Sequence, residues 1–354
     1  MSGRVSHLIA GWRTELPRPV LILQTGNLIN YLGYGLIAPF EIIYLSQIRG
    51  FSTSTAGLVL AATMGTAAVV TPPTGALADR YSAKAIVIVG SLASALGYAG
   101  IAYIDQPWQA FACAIVAGIG NGTAGTAGRA LIVRLVTREQ RPAAFALNRV
   151  AANFGIGAGA TVAGFLVAAG QGLSSFQRLY LADAATFAAF ALILFAAVPD
   201  PPAQNVTAPS AGATGFRAVA RDRVFMVVIA ANLVLVVAGH VFFSNILAPF
   251  AKAETAVGAA GLGIIFLANT SVVVIAQVPS VRIVARLRRI HGFAAASAIF
   301  ALGLLAVLPA TLVQSELAAT LLLAGAAMVL AIGECVHTVV LGPLVADMAP
   351  AHLL

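Results

Sequence analysis

The chain has 354 residues, 60% of them hydrophobic and only 9% charged, with a formal net charge of +8 at pH 7. Soluble domains carry roughly 25% charged residues, so the composition excludes a water-soluble globular protein and indicates an all-α polytopic membrane protein. The basic excess would suggest nucleic acid in a soluble chain. Assigned loop by loop it describes topology instead, and no nucleic-acid partner is expected.

A bilayer-crossing helix needs about twenty mostly apolar residues. That template predicts ten spans, near 19–47, 55–77, 84–104, 107–134, 142–169, 178–198, 223–249, 257–281, 290–313 and 317–343. The runs are continuous, whereas barrel strands alternate apolar and polar residues, so helices are preferred. Arg4, Arg13 and Arg18 precede an apolar run too long for a signal-peptide core, so the start reads as a cytoplasmic lead-in. With the N-terminus inside, sixteen of the 20 Lys and Arg lie at or near the cytoplasmic face; Arg49, Arg178 and Lys252 fall outside, and Arg129 within a span. The positive-inside rule selects that orientation.

Spans two and three are joined by the charged hairpin Gly75 to Lys84, too short for anything but an antiparallel pair. Gly75 allows close backbone approach, Asp79 can cap a helix end or pair with a base, and Arg80 and Lys84 mark the inner face. Cys113 and Cys335 sit inside apolar runs without metal-site or disulfide spacing and read as small core residues. Pro199 to Gly215 changes to a Pro, Ser, Gly, Thr and Ala mixture that builds neither span nor core. The expected domains are an N-terminal six-helix bundle over 1–198, a cytoplasmic linker over 199–222, and a C-terminal bundle over 223–354 with four helices. The bases of Arg282 to Arg289 echo the first hairpin without its acid, as an internal repeat would. If the second half copies the first, two further spans follow Leu354.

Gly75, Leu77, Ala78, Asp79, Arg80 and Lys84 match the Gly-x-Leu-Ala-Asp-Arg-x-Gly-Arg-Lys signature of the major facilitator superfamily, with Ser82 and Ala83 in place of the Gly-Arg pair. Asn153, Phe154, Gly155, Gly159 and Gly164 resemble the span-five motif of drug–proton antiporters, with Ala160 where proline is usual. Gly333 and Glu334, then Val345 to Pro350, resemble the end of span ten in bacterial multidrug members. The resemblance implies two pseudo-symmetric six-helix bundles around a central cavity, here with a truncated C-terminal bundle, alternating between inward-open and outward-open states. It also implies a cytoplasmic gate, to which Gly75, Asp79, Arg80, Lys84, Arg129 and Asp347 are assigned.

Polar groups inside the hydrocarbon layer are costly, so each is weighed singly. Asn27, Asn30 or Tyr31, Tyr34 and Glu41 recur at near-helical spacing on span one, as interhelical hydrogen bonds or as a cavity lining. Glu41 is either a solvated acid at the outer end or an outward-facing proton acceptor. Glu334 lies one turn before His337, a proton-coupling pair or a gate pair in the inner half. Arg129 contacts Asp79 or a carboxylate of the other bundle, or else binds substrate. Asn232 and His240 on span seven line the cavity or serve helix packing. Gly118, Gly122, Gly125, Gly155, Gly159 and Gly164 permit close helix packing.

No phosphate loop, metal cluster or nucleophilic triad is present, so the chain reads as a non-enzyme without cofactors, driven by a gradient. The expected function is proton-coupled efflux of small amphipathic or drug-like solutes across the bacterial inner membrane, by a monomer whose partners are the solute, protons and the bilayer. The alternatives are proton-coupled uptake of a nutrient or metabolite, and a non-transporting sensor, scaffold or pseudo-transporter.

Overall fold

The structure, a computed structural model, describes residues 16–170, 172–200, 221–284 and 287–348. Ten helices long and apolar enough to cross a membrane occupy them. They are α1 Arg18–Ile48, α2 Thr53–Arg80, α3 Ala83–Ile101, α4 Pro107–Leu135, α5 Arg141–Ala169, α6 Leu173–Ala197, α7 Arg223–Glu254, α8 Ala259–Val284, α9 Arg289–Leu312 and α10 Glu316–Met348. No strand occurs among the described residues. Helices satisfy their backbone polar groups internally, the requirement a hydrocarbon solvent imposes. Phe195 is 71% and Ile275 72% exposed, apolar surface suited to lipid rather than water.

Side chains fix several helix ends. Ser52 accepts from the Thr55 amide at 3.0 Å to start α2, and Asp222 accepts from the Val224 and Phe225 amides at 3.0 and 3.1 Å to start α7. Pro107 opens α4, and Gln109 Oε1 accepts from the Asp105 and Gln106 amides at 2.8 and 3.0 Å just ahead of it. Arg178, predicted at the outer edge of span six, instead lies inside α6, exposed, its Nε donating to the Ser174 carbonyl at 3.1 Å.

Besides α9, which ends in a 3-10 stretch over Leu308–Leu312, two helices change pitch. In α1, Pro39 lacks an amide donor; the helix tightens to 3-10 over Ala38–Phe40 and widens to π over Tyr44–Ile48. Arg49 then donates to the Tyr44 hydroxyl at 2.7 Å and to Asp105 at 3.0 Å, tying the end of α1 to the α3–α4 loop. In α7 a π-helical stretch covers Val236–Ile246.

The described residues form two compact units, with ranges Met1–Ile37, Glu41–Gly159 and Gly170–Val206 in one and Ala38–Phe40, Ala160–Ala169 and Thr207–Leu354 in the other. Residues 201–220 of the expected linker, the bases Arg4, Arg13 and Arg286, and the motif residues after Met348 lie outside the described residues. In the first unit α3 packs on α4 and α6, α2 on α4, and α1 on α6, around Leu23, Val87, Leu131, Ile132, Phe190 and Leu194. In the second, α8 and α9 pack on α10, with Leu235, Val284, Phe293, Phe300, Leu330 and Val340 in the core.

Much of the expected hairpin is helix, because α2 runs on through Arg80. The cap is Ser82, which accepts from the Ala85 amide at 2.9 Å, not Asp79. Arg134 of α4 donates to the Ala78 and Tyr81 carbonyls, and Lys84 to Val198 at 2.6 Å and Phe195 at 3.1 Å. Two bases therefore complement the negative ends of α2 and α6. A Cβ at Gly75 would meet nothing nearer than 4.0 Å, so close approach falls elsewhere, on Gly118 and Gly122 against α2 and on Gly155 and Gly159 against α1.

Candidate functional site

The stripe on α1 opens onto a cavity of about 310 Å³ inside the first unit. Asn27, Asn30, Tyr31 and Tyr34 line it with Asn121, Arg129 and Asn148. The asparagines are held in place: Asn27 Nδ2 donates to Asn148 Oδ1 at 3.0 Å and to Gln24 at 3.2 Å, and Asn121 donates to the Tyr98 hydroxyl at 2.8 Å while accepting from Ser94 at 2.9 Å. Asn30 Nδ2 is buried without a hydrogen-bond partner. Arg129 is exposed at this cavity and forms no ion pair among the described residues.

A second cavity of about 210 Å³ is lined by Tyr34, Glu41, Thr63, Met64, Tyr98 and Asn121, so Tyr34 and Asn121 border both spaces. Glu41 is only 6% exposed and is thus no solvated interfacial acid. Behind it Asp183 of α6 is completely buried, with neither carboxylate oxygen hydrogen-bonded. Sequence reasoning passed over Asp183, although an acid alone in the apolar run 173–197 is the signal that intramembrane function gives.

In the second unit the polar residues of α7 and α10 meet. His337 Nε2 lies 2.8 Å from Asn232 Oδ1, its ring packed between Phe293 and Phe300 at centroid distances of 6.1 Å. Glu334 Oε1 lies 3.8 Å from His240 Nδ1; the carboxylate side chain is 18% exposed and the imidazole 56%. The helical spacing that put Glu334 beside His337 thus gave the right helix, while α7 supplies a partner to each.

Of the residues assigned to the gate, Asp79 and Arg80 are exposed in the last turn of α2, Lys84 is bonded as above, and Asp79 makes no ion pair with Arg129. Asp347 falls in the last turn of α10, its side chain outside the described residues.

This architecture is that of a polytopic, all-helical membrane protein with polar cavities and intramembrane acids. Residues 25–353 match the family model described as Major Facilitator Superfamily, and the chain belongs to that family. Among the relatives it matches, the multidrug resistance protein MdtH of Photorhabdus laumondii is 27% identical over 141 residues, 40% of this chain and 35% of the relative. MdtH of Klebsiella pneumoniae strain 342 is 28% identical over 145 residues, 41% and 36% of the two chains. The matched stretch spans about a third of the length of these relatives. The fold resembles a crystallised mutant of the nucleoside transporter NupG, with a TM-score of 0.74 at 14% identity over 95% of this chain and 85% of the other. It also resembles the D-xylose–proton symporter, with a TM-score of 0.63 at 17% identity over 92% and 80%.

Proposed function

We propose that the protein is a proton-coupled exporter of small amphipathic or drug-like solutes that works by alternating access. The observation that carries this reading is Glu334, an acid within an apolar span and 3.8 Å from a histidine of another helix. A carboxylate beside an imidazole can take up and release a proton as their separation changes, which is the requirement for coupling. The asparagine-lined cavity on α1, α4 and α5 supports solute binding, since hydrogen-bonding walls with aromatic neighbours suit molecules that are part polar and part apolar. Export rather than uptake is favoured by the multidrug resistance relatives.

The protein resides in the bacterial inner membrane as a monomer with the N-terminus cytoplasmic, an orientation favoured by the bases on the inner loops. It is organised as the N-terminal bundle, linker and C-terminal bundle given above, and the reaction involves no bond-making chemistry. Asp79 sits at a helix C-terminus, where the dipole disfavours a carboxylate, which fits a gate acid that finds its partner in one state of the cycle.

The test uses everted vesicles and an amphipathic fluorescent dye. An exporter accumulates dye when the lumen is made acidic. Uptake by symport would expel it under the same gradient, and a non-transporting scaffold would leave its distribution unchanged.

A further inference from the structure

We propose that Asp183 is a proton-binding group that works with Glu41 as a pair buried inside the first unit. This rests on the proton-coupled reading above and adds to it a site separate from Glu334.

Asp183 has no exposed surface, and neither of its carboxylate oxygens is hydrogen-bonded. The titratable groups that face it are Glu41 and Tyr34 from α1, Tyr98 from α3, and Tyr180 from its own helix. None is a base. The Tyr180 hydroxyl is itself buried without a partner, and the Thr186 hydroxyl is committed to the Asp183 backbone carbonyl at 2.7 Å. Arg178, on the same helix, is engaged with the Ser174 carbonyl, and Arg49 of α1 with Asp105 and Tyr44. An ionised carboxylate enclosed by apolar packing with no donor and no cation is among the costliest arrangements a protein can hold, and a second acid adds like-charge repulsion. A bound proton removes the charge and turns one oxygen into a donor.

The packing around Asp183 is specific. A Cβ at Gly33 would collide with the Thr186 hydroxyl and stand 2.9 Å from Asp183 Oδ1, so the glycine lets the α1 backbone lie against both Thr186 and this acid. Access is provided by Glu41, which lines the smaller cavity with Tyr34 and Asn121, residues shared with the larger one. A proton entering there passes to the Glu41 carboxylate and then to Asp183. One acid regains its charge as the other loses it, and no electron moves.

The test is infrared difference spectroscopy with hydrogen–deuterium exchange on the purified full chain, following the C=O stretch of protonated carboxyl groups with pH. The wild type should show such a band at neutral pH, Asp183→Asn should lose one component of it, and Glu41→Gln should change the pH range over which that component titrates. Sodium should leave it unaltered. Absence of the band from the wild type, a band unchanged in Asp183→Asn, or displacement of the Asp183 component by sodium overturns the proposal. Should Asp183→Asn fail to fold, Gly33→Ala crowds Thr186 and the acid without removing either; a displaced titration supports the proposal and an unchanged one overturns it. Protonation is read here without transport, so failure of the export reading and failure of this site give different results.

Discussion

Gly35 of α1 and Gly159 of α5 meet backbone to backbone, and a methyl at either position should force the helices apart. A Cβ on Gly159 would fall 3.0 Å from the Gly35 Cα and carbonyl carbon and closer still to the Leu32 carbonyl oxygen. Carbon contacts settle at about 3.5–4.0 Å, so α1 must retreat by about 0.5–1 Å, and a gap of that size forfeits a quarter to a half of each contact it opens. Overpacking of this kind costs about 1–3 kcal/mol, and the absence of any flexible side chain to yield argues for about 2 kcal/mol. Gly35→Ala faces the Ile156 backbone in the same crossing. The retreat that one methyl forces makes room for the other, so the double variant should cost about 1 kcal/mol less than the sum of the singles. Reversible unfolding in mixed detergent–SDS micelles measures all three. A neutral Gly159→Ala, or strict additivity, would refute the packing argument.

Arg134→Ala should lower stability by about 1 kcal/mol by uncovering the Ala78 and Tyr81 carbonyls, with Arg134→Lys restoring part of it, as read in the same unfolding assay. Asn232→Ala removes the 2.8 Å partner of His337; it should cost about 1–2 kcal/mol and displace the pH profile of transport, which a purely structural role would leave in place. If the inner-face assignment is right, Ser82→Cys should react with a membrane-impermeant thiol reagent in everted vesicles and not in intact cells.

The span count was legible because twenty apolar residues in a row have few ways to fold in lipid. Boundaries were less so: α6 begins at Leu173, a full turn before Arg178, whose side chain bonds the Ser174 carbonyl within the helix. The pitch changes in α1 and α7 left no signal in the sequence beyond Pro39. Helical spacing identified the stripe Asn27, Asn30 and Tyr34 that faces the cavity, whereas the His240–Glu334 and Asn232–His337 contacts join different helices, which spacing along one helix cannot reveal. Asp183 differs: its run was apolar enough to make the acid conspicuous, but it belongs to no stripe, and its place behind Gly33 follows only from the packing of α1 on α6.

Proton movement driven by solute is the most direct measure of coupling. In proteoliposomes loaded with a pH-sensitive dye, adding an amphipathic solute to the wild type should move protons against the solute flux, and Glu334→Gln should abolish that movement while retaining solute exchange. Equal proton movement in the variant, or solute flux in the wild type without any proton movement, would contradict the coupling mechanism.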